Sequence, residues 1–405
     1  MSLPTHPAWG SGRFPRICLI ALVAVVGLAA CRSTPARRHT AAPSPRAGAA
    51  PAPTLPVEVA LSPAPATPAE SRATAAPAGH RQRSRASRPA PTSADSPASP
   101  TSAGLLLAFD SDRTGNYEIY LAGSGGAPDQ LTRDRAFDSF WPKISPDGRR
   151  ILFYRTPART HDLDYGAAGL WIVNTDGAGL RRLLAAGAHG WEVQAHAEWS
   201  PDGRELTMLA GPKTNPQIYV TTADGTSPRR VTSDGKGGPR PGLNLDPSWH
   251  PNGRSLLFVG CDIALCLPYQ QEIYSISVDG SGVGRLTSDG EPDYDPYYSP
   301  DGSRIAWLRN TGLPLVRYGI FTMRADGSGK AALIDDGGIN SKPEWAPDSS
   351  TVYFHRQAGL LGPSPRFNLY SMPGTGRTPN PLLEDHGGRF ANEYPDVAPA
   401  PAPVG

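Results

Sequence analysis

The stretch Glu198–Leu206, EWSPDGREL, carries a tetrapeptide that returns along the chain. Ser200-Pro201-Asp202-Gly203 is echoed by Ser145-Pro146-Asp147-Gly148, His250-Pro251-Asn252-Gly253, Ser299-Pro300-Asp301-Gly302 and Ala346-Pro347-Asp348-Ser349, at steps of 55, 50, 49 and 47 residues. Proline presets φ for the first corner of a turn, Asp bonds nearby backbone amides, and Gly accepts positive φ. The tetrapeptide is therefore expected to bend the backbone rather than to do chemistry.

Its surroundings repeat as well. Each copy follows a short segment with an aromatic residue and usually a proline (FWPKIS, HAEWS, LDPSWH, YDPYYS, SKPEWA) and precedes an apolar run such as RRILFYR or RSLLFVG. A second turn signal follows, in VNTDGAG, TTADGTS, SISVDGSG and TMRADGSG, and then a short segment typified by RRVT or GRLT. Asp-Gly between two apolar runs is a hairpin signal. Each unit thus reads as four short strands, A to D, with tight A–B and C–D turns, which is the unit of a β-propeller blade. The first unit, from Leu105, has B, C and D runs but no A run. The chain closes on Glu393–Ala398, an A run with nothing after it. The expected fold is all-β: a six-bladed propeller of four-stranded antiparallel blades over residues 104–399. One blade takes three strands from the start and one from the finish, and residues 400–405 form a tail.

These repeats resemble the WD40-like β-propeller repeats of the TolB family, most closely in SDRTGNYEIY (Ser111–Tyr120) and WSPDGRE (Trp199–Glu205). The resemblance covers about residues 104–399 and implies a propeller. TolB carries an α/β domain ahead of its propeller, where this sequence has a tether. That departure separates the present chain from the family's role in docking a peptidoglycan-associated lipoprotein.

Residues 1–30 read as an export signal. Arg13 and Arg16 precede the apolar run Ile17–Ala30, which is shorter than the ~20 residues a spanning helix needs. The run ends Leu28-Ala29-Ala30-Cys31, which resembles a bacterial lipobox and implies a lipid on Cys31; the alternative is an ordinary secretory signal. Residues 31–103 hold Ala, Pro, Ser, Thr and Arg with almost no large apolar side chain, a composition that cannot bury a core and suits a disordered tether. Cys261 and Cys266 are expected to pair as a disulfide in an exported protein, with two free thiols as the alternative. The net charge of +2 gives no nucleic-acid bias, and the expected state is a monomer.

Function is expected on the face of the variable B–C and D–A loops, because binding residues concentrate on variable loops held by a rigid scaffold. Two layers of A-strand residues face that channel mouth. The first comprises Ser139, Gln194, Asn244, Asp293, Asn340 and Asn392, and the second Trp141, His196, Asp246, Asp295, Lys342 and Tyr394. The partner expected there is a protein or glycan of the cell envelope, with membrane attachment through Cys31. No catalytic signature is present, such as G-x-S-x-G, H-E-x-x-H or a Walker A loop. No cofactor or metal is expected, although the alternating Asp289, Glu291, Asp293 and Asp295 could place carboxylates around Ca²⁺ near Asp293. The rival reading is a metal-dependent polysaccharide lyase or hydrolase. It rests on His189, Gln194 and His196, because propeller lyases acting on pectic fragments use a His/Gln metal site.

Overall fold

The computed structural model describes residues 104–123, 127–233, 244–261, 270–312, 317–357, 366–383 and 390–402. The export signal, Cys31, the tether and Cys266 lie outside the described residues. All the described residues belong to one compact unit.

The strands follow the repeat. β1 (Leu105–Ser111), β2 (Glu118–Ala122) and β3 (Asp129–Gln130) come first. Then come β4 (Phe137–Ile144), β5 (Arg150–Pro157), β6 (Gly169–Asn174) and β7 (Arg181–Leu184), followed by β8 (Val193–Trp199), β9 (Glu205–Gly211), β10 (Gln217–Thr222) and β11 (Arg229–Arg230). β12 (Asn244–Trp249), β13 (Ser255–Gly260), β14 (Glu272–Ser277) and β15 (Gly284–Arg285) repeat the pattern. So do β16 (Asp293–Tyr298), β17 (Arg304–Asn310), β18 (Tyr318–Arg324) and β19 (Ala331–Ile334). β20 (Ile339–Trp345), β21 (Thr351–Gln357), β22 (Asn368–Pro373) and β23 (Asn380–Pro381) precede the last strand, β24 (Asn392–Pro399).

The result is an all-β propeller of four-stranded antiparallel sheets. The count of six separate blades needs correction. Four four-stranded sheets stand alone, and β16 to β23 form one eight-stranded sheet. The join is a single parallel bridge, Tyr318 to Ile339. Its physical cause is an inter-blade contact used elsewhere too. The N–H groups of Ser139, Asp293 and Asn392 donate to the carbonyls of Tyr117, Gln271 and Phe367 in the preceding sheet, at 2.8, 2.9 and 2.9 Å. Between β18 and β20 the same approach becomes a bridge.

Closure follows the expected route. β24 pairs antiparallel with β1, with Leu106 opposite Ala398 and Leu107 opposite Val397, so the last strand completes the first sheet. The apolar core lies between neighbouring sheets. Trp199, Trp249 and Trp345, which share one blade position, each belong to a different buried cluster.

The tetrapeptide is the A–B turn. Gly148, Gly203, Gly253 and Gly302 hold φ of 68–70°, and the Gly203 N–H donates to the Ser200 carbonyl at 2.8 Å. The Ser200 hydroxyl donates to Asp202 at 2.6 Å, and Asp202 accepts the Arg204 N–H at 3.1 Å. Those bonds hold the Asp202 carboxyl below the usual carboxylate range.

Candidate functional site

The A strands β4, β8, β12, β16, β20 and β24 share one irregularity. Trp141, His196, Asp246, Asp295, Lys342 and Tyr394 all have positive φ, between 46 and 58°, and each sits where the register to the neighbouring strand shifts. A non-glycine residue in this region costs roughly 1–3 kcal/mol and persists only where its surroundings demand it. The residue after it is Pro142, Pro247, Pro296, Pro343 or Pro395 in five strands and Ala197 in the sixth. Proline has no N–H to give a ladder, so it fits the unpaired position of a bulge.

The bulge brings the six side chains together. Lys342 Nζ lies 2.5 Å from Asp295 Oδ1 and 3.8 Å from the Trp141 ring centroid. The Trp141 ring lies 3.7 Å from His196 and 5.3 Å from Tyr394, centroid to centroid. His196 Nδ1 pairs with Asp246, whose other oxygen accepts the Asp295 N–H at 3.4 Å. Burial holds the His196 imidazole below its ordinary value, against the pull of Asp246. The contact is therefore a hydrogen bond from a neutral ring to a carboxylate. Burial also works against ionised Asp246, but His196 and Lys342 outweigh it and hold that carboxyl low. Asp295 is raised by burial despite Lys342.

The B–C loop between β5 and β6 closes over this ring. The Tyr394 hydroxyl donates to Asp162, and the Tyr165 hydroxyl donates to the other oxygen of the same carboxylate. His161 stacks on Tyr117 at 3.5 Å and bonds Asp110 at 2.9 Å. The Tyr394 N–H donates to His355 Nδ1 at 2.9 Å.

The second expected layer thus forms one connected cluster, and the first does not. Arg155 donates to Ser139 at 3.1 Å, and Gln194 donates to the carbonyls of Ala168 and Ala185 at 2.8 and 2.7 Å. Asn340 donates to the Tyr318 carbonyl at 3.2 Å, and Asn392 donates to Asn368 and accepts from Arg113. Asn244 is buried at the start of β12. These residues fasten strands and neighbouring blades instead of ringing an open mouth. The expectation that both layers face the channel assumed unbroken alternation along the strand, and the positive-φ residue breaks it.

The acidic run is divided in the same way. Asp293 is buried against Arg309 Nε at 2.7 Å and Trp307 Nε1 at 2.8 Å, and burial pushes its carboxyl up to about 6 despite Arg309. Asp289 bonds Arg309 as well, while Asp295 joins the ring. His189 is separated from His196: its Nε2 bonds the Gly225 carbonyl at 2.9 Å and its ring packs on Trp191. Among the described residues two triads of donors gather, His196 with Asp246 and Asp295, and Glu272 with Asp289 and Asp293, each with one ligand atom within 4.8 Å of the others. Both fit a metal poorly: the Lys342 ammonium pairs with Asp295 in the first, and Arg309 pairs with Asp289 and Asp293 and Arg285 with Glu272 in the second. Cys261 is buried and disulfide-bonded.

Sequence reasoning missed two groups. Asp162 and Tyr165 sit on a loop whose path no repeat predicts. Lys143, Glu198, Tyr297, Glu344 and Asp396 form a further layer, described below. The second group was legible: it is the next column but one after Trp141, His196, Asp295, Lys342 and Tyr394.

No family model matches the chain. It is similar to a TolB homolog of Chlorobium luteolum, with 36% identity over 157 residues, 38% of this chain and 31% of that protein. The matched stretch is thus less than a third of that relative's length. Among solved structures it is similar to TolB from Acinetobacter baumannii, with a TM-score of 0.54 and 18% identity over 73% of this chain and 66% of that one. A putative TolB from Agrobacterium tumefaciens has a TM-score of 0.50 and 20% identity over 74% of this chain and 99% of that one. The chain carries a TolB-like β-propeller.

Proposed function

We propose that this chain is an exported, lipid-anchored, non-catalytic propeller that binds a protein or glycan of the cell envelope through its B–C/D–A loop face. The observation that carries it is the linked ring of six A-strand side chains under the Asp162 loop. Each ring member has a partner in the ring or in that loop, so the ring acts as a lock that stiffens a platform for the variable loops. In this reading the eight-stranded sheet works as two blades held by one bridge, giving six around the axis, and Cys31 carries the lipid.

The test is capture by the tagged full chain from envelope extract, with partners identified by mass spectrometry. Specific partners lost on exchanging the B–C and D–A loops would support the reading, and capture that ignores the loops would sink it. Cys31→Ser is expected to abolish lipid labelling and membrane retention. The second reading, a metal-dependent polysaccharide lyase, rests on the convergence of His196, Asp246 and Asp295. It requires Mn²⁺ or Ca²⁺ binding that His196→Ala removes, and unsaturated products from pectic fragments.

A further inference from the structure

Two residues beyond the ring, towards the A–B turns, the A strands carry Lys143, Glu198, Ser248, Tyr297, Glu344 and Asp396. Three carboxylates converge on one ammonium. Lys143 Nζ lies 2.9 Å from Glu198, 3.0 Å from Glu344 and 3.3 Å from Asp396. The Tyr297 hydroxyl donates to Glu198 Oε1 at 3.2 Å, and the Ile144 N–H donates to Asp396 at 2.6 Å. Ser248 donates to the Pro296 carbonyl at 2.5 Å. With every group ionised, three negative charges face one positive charge. Glu198 Oε2 and Glu344 Oε1 take no hydrogen bond among the described residues.

A cavity of about 300 Å³ opens onto this cluster, with Trp199 and Trp345 in its walls and Pro146, Pro300 and Pro347 of the A–B turns at its rim. Trp345 is 3% exposed, and its indole N–H has no partner. At the same blade position Trp199 and Trp249 donate to the carbonyls of Lys143 and Glu198, at 3.1 and 3.3 Å. With every group ionised the cavity therefore carries an excess of negative charge. A lysine side chain supplies an ammonium to Glu198 and Glu344, and its methylene stem suits a wall of Trp and Pro.

We propose that the cavity at the A–B turn end binds a lysine side chain presented by a partner polypeptide, with the ammonium between Glu198 and Glu344. The site stands apart from the loop face, so failure to capture an envelope partner there would leave it intact. Burial pushes Glu198 up to about 7 and Glu344 up to about 8, against the pull of Lys143. The other titratable groups facing them are Lys143, Asp396 and Tyr297. A second cation favours both ionised carboxylates, so binding expels protons and tightens as pH rises.

The experiment titrates the full chain with Nα-acetyl-lysine methylamide, read by tryptophan fluorescence. The uncharged norleucine analogue, cadaverine and Ca²⁺ serve as parallel probes. Saturable binding of the lysine probe alone is expected, tighter by about tenfold at pH 8.5 than at pH 6.5. Glu198→Gln/Glu344→Gln should weaken it by at least about tenfold, and Glu205→Gln on the blade surface should leave it unchanged. Equal binding of norleucine, or no response to pH, overturns the proposal. So does cadaverine or Ca²⁺ binding more tightly than the lysine probe, which would assign the cavity to a free diamine or a metal ion. If the double variant fails to fold, the wild-type pH series and the norleucine comparison decide.

Discussion

Gly148 and Gly203 occupy equivalent turns at the same φ of 69°, yet their surroundings differ. A Cβ at Gly203 would meet nothing nearer than the Pro146 ring at 3.7 Å, whereas one at Gly148 would fall 2.6 Å from the Pro399 carbonyl. Gly203→Ala is therefore expected to cost only the positive-φ strain, about 1 kcal/mol. Gly148→Ala should cost clearly more, because it also pushes on the closing strand. Urea denaturation separates the two, and equal losses would contradict the packing argument. Lys143 offers a second comparison. Lys143→Met leaves three buried carboxylates facing one another, a loss of about 3–5 kcal/mol when they are ionised. The loss should shrink at pH 5, where Glu198 and Glu344, held up to about 7 and about 8, carry protons. Denaturation midpoints at pH 5 and pH 8 test this.

Among the elements, β24 has the most duties. It closes the first sheet along β1, adds Tyr394 to the ring and gives Asp396 to Lys143. A chain ending at Ala391 leaves β1 as a bare edge and both inner layers incomplete. It should lose its cooperative thermal transition, as followed by circular dichroism; melting at the wild-type temperature would show that closure is dispensable. The A-strand bulges explain why β24 and its five counterparts cannot be read as plain alternating strands. Each holds a residue at positive φ, and five follow it with proline.

For the whole molecule, two sets of carboxyls pull stability in opposite directions with pH. The turn residues Asp147, Asp202 and Asp301 are held low by bonds from Ser and backbone N–H groups; at Asp147 burial is the largest single effect and opposes them, but together they outweigh it. Their contribution is present above the ordinary carboxylate range and lost as pH falls below it. Glu198 and Glu344 are held high, so between their unfolded and folded values the native state binds more protons than the unfolded chain. Their contribution falls as pH rises towards 7 and 8. The melting temperature should therefore peak near about pH 5 and decline towards pH 8. A maximum at pH 8 or above would contradict the burial of this pair, and Glu344→Gln should flatten the alkaline decline.

The repeat alone determined the four-strand unit, the place of every A–B turn and the closure by β24. Those features depend on local turn chemistry and a period that recurs, and both are written residue by residue. It also placed Trp141, His196, Asp246, Asp295, Lys342 and Tyr394 in one layer, because equivalent positions in a ring must meet. Tertiary structure decided which polar residues turn inward. Positive φ at six positions breaks the alternation that a strand pattern assumes, so Ser139, Gln194 and Asn340 fasten blades instead of lining a mouth. It also decided that the Asp162 loop folds over the ring, since a loop's path depends on what it finds to bond. It decided too that three copies of the turn do more than bend the chain. Pro146, Pro300 and Pro347 line a charged cavity, and only the curvature of the folded ring brings turns so far apart in sequence around one opening.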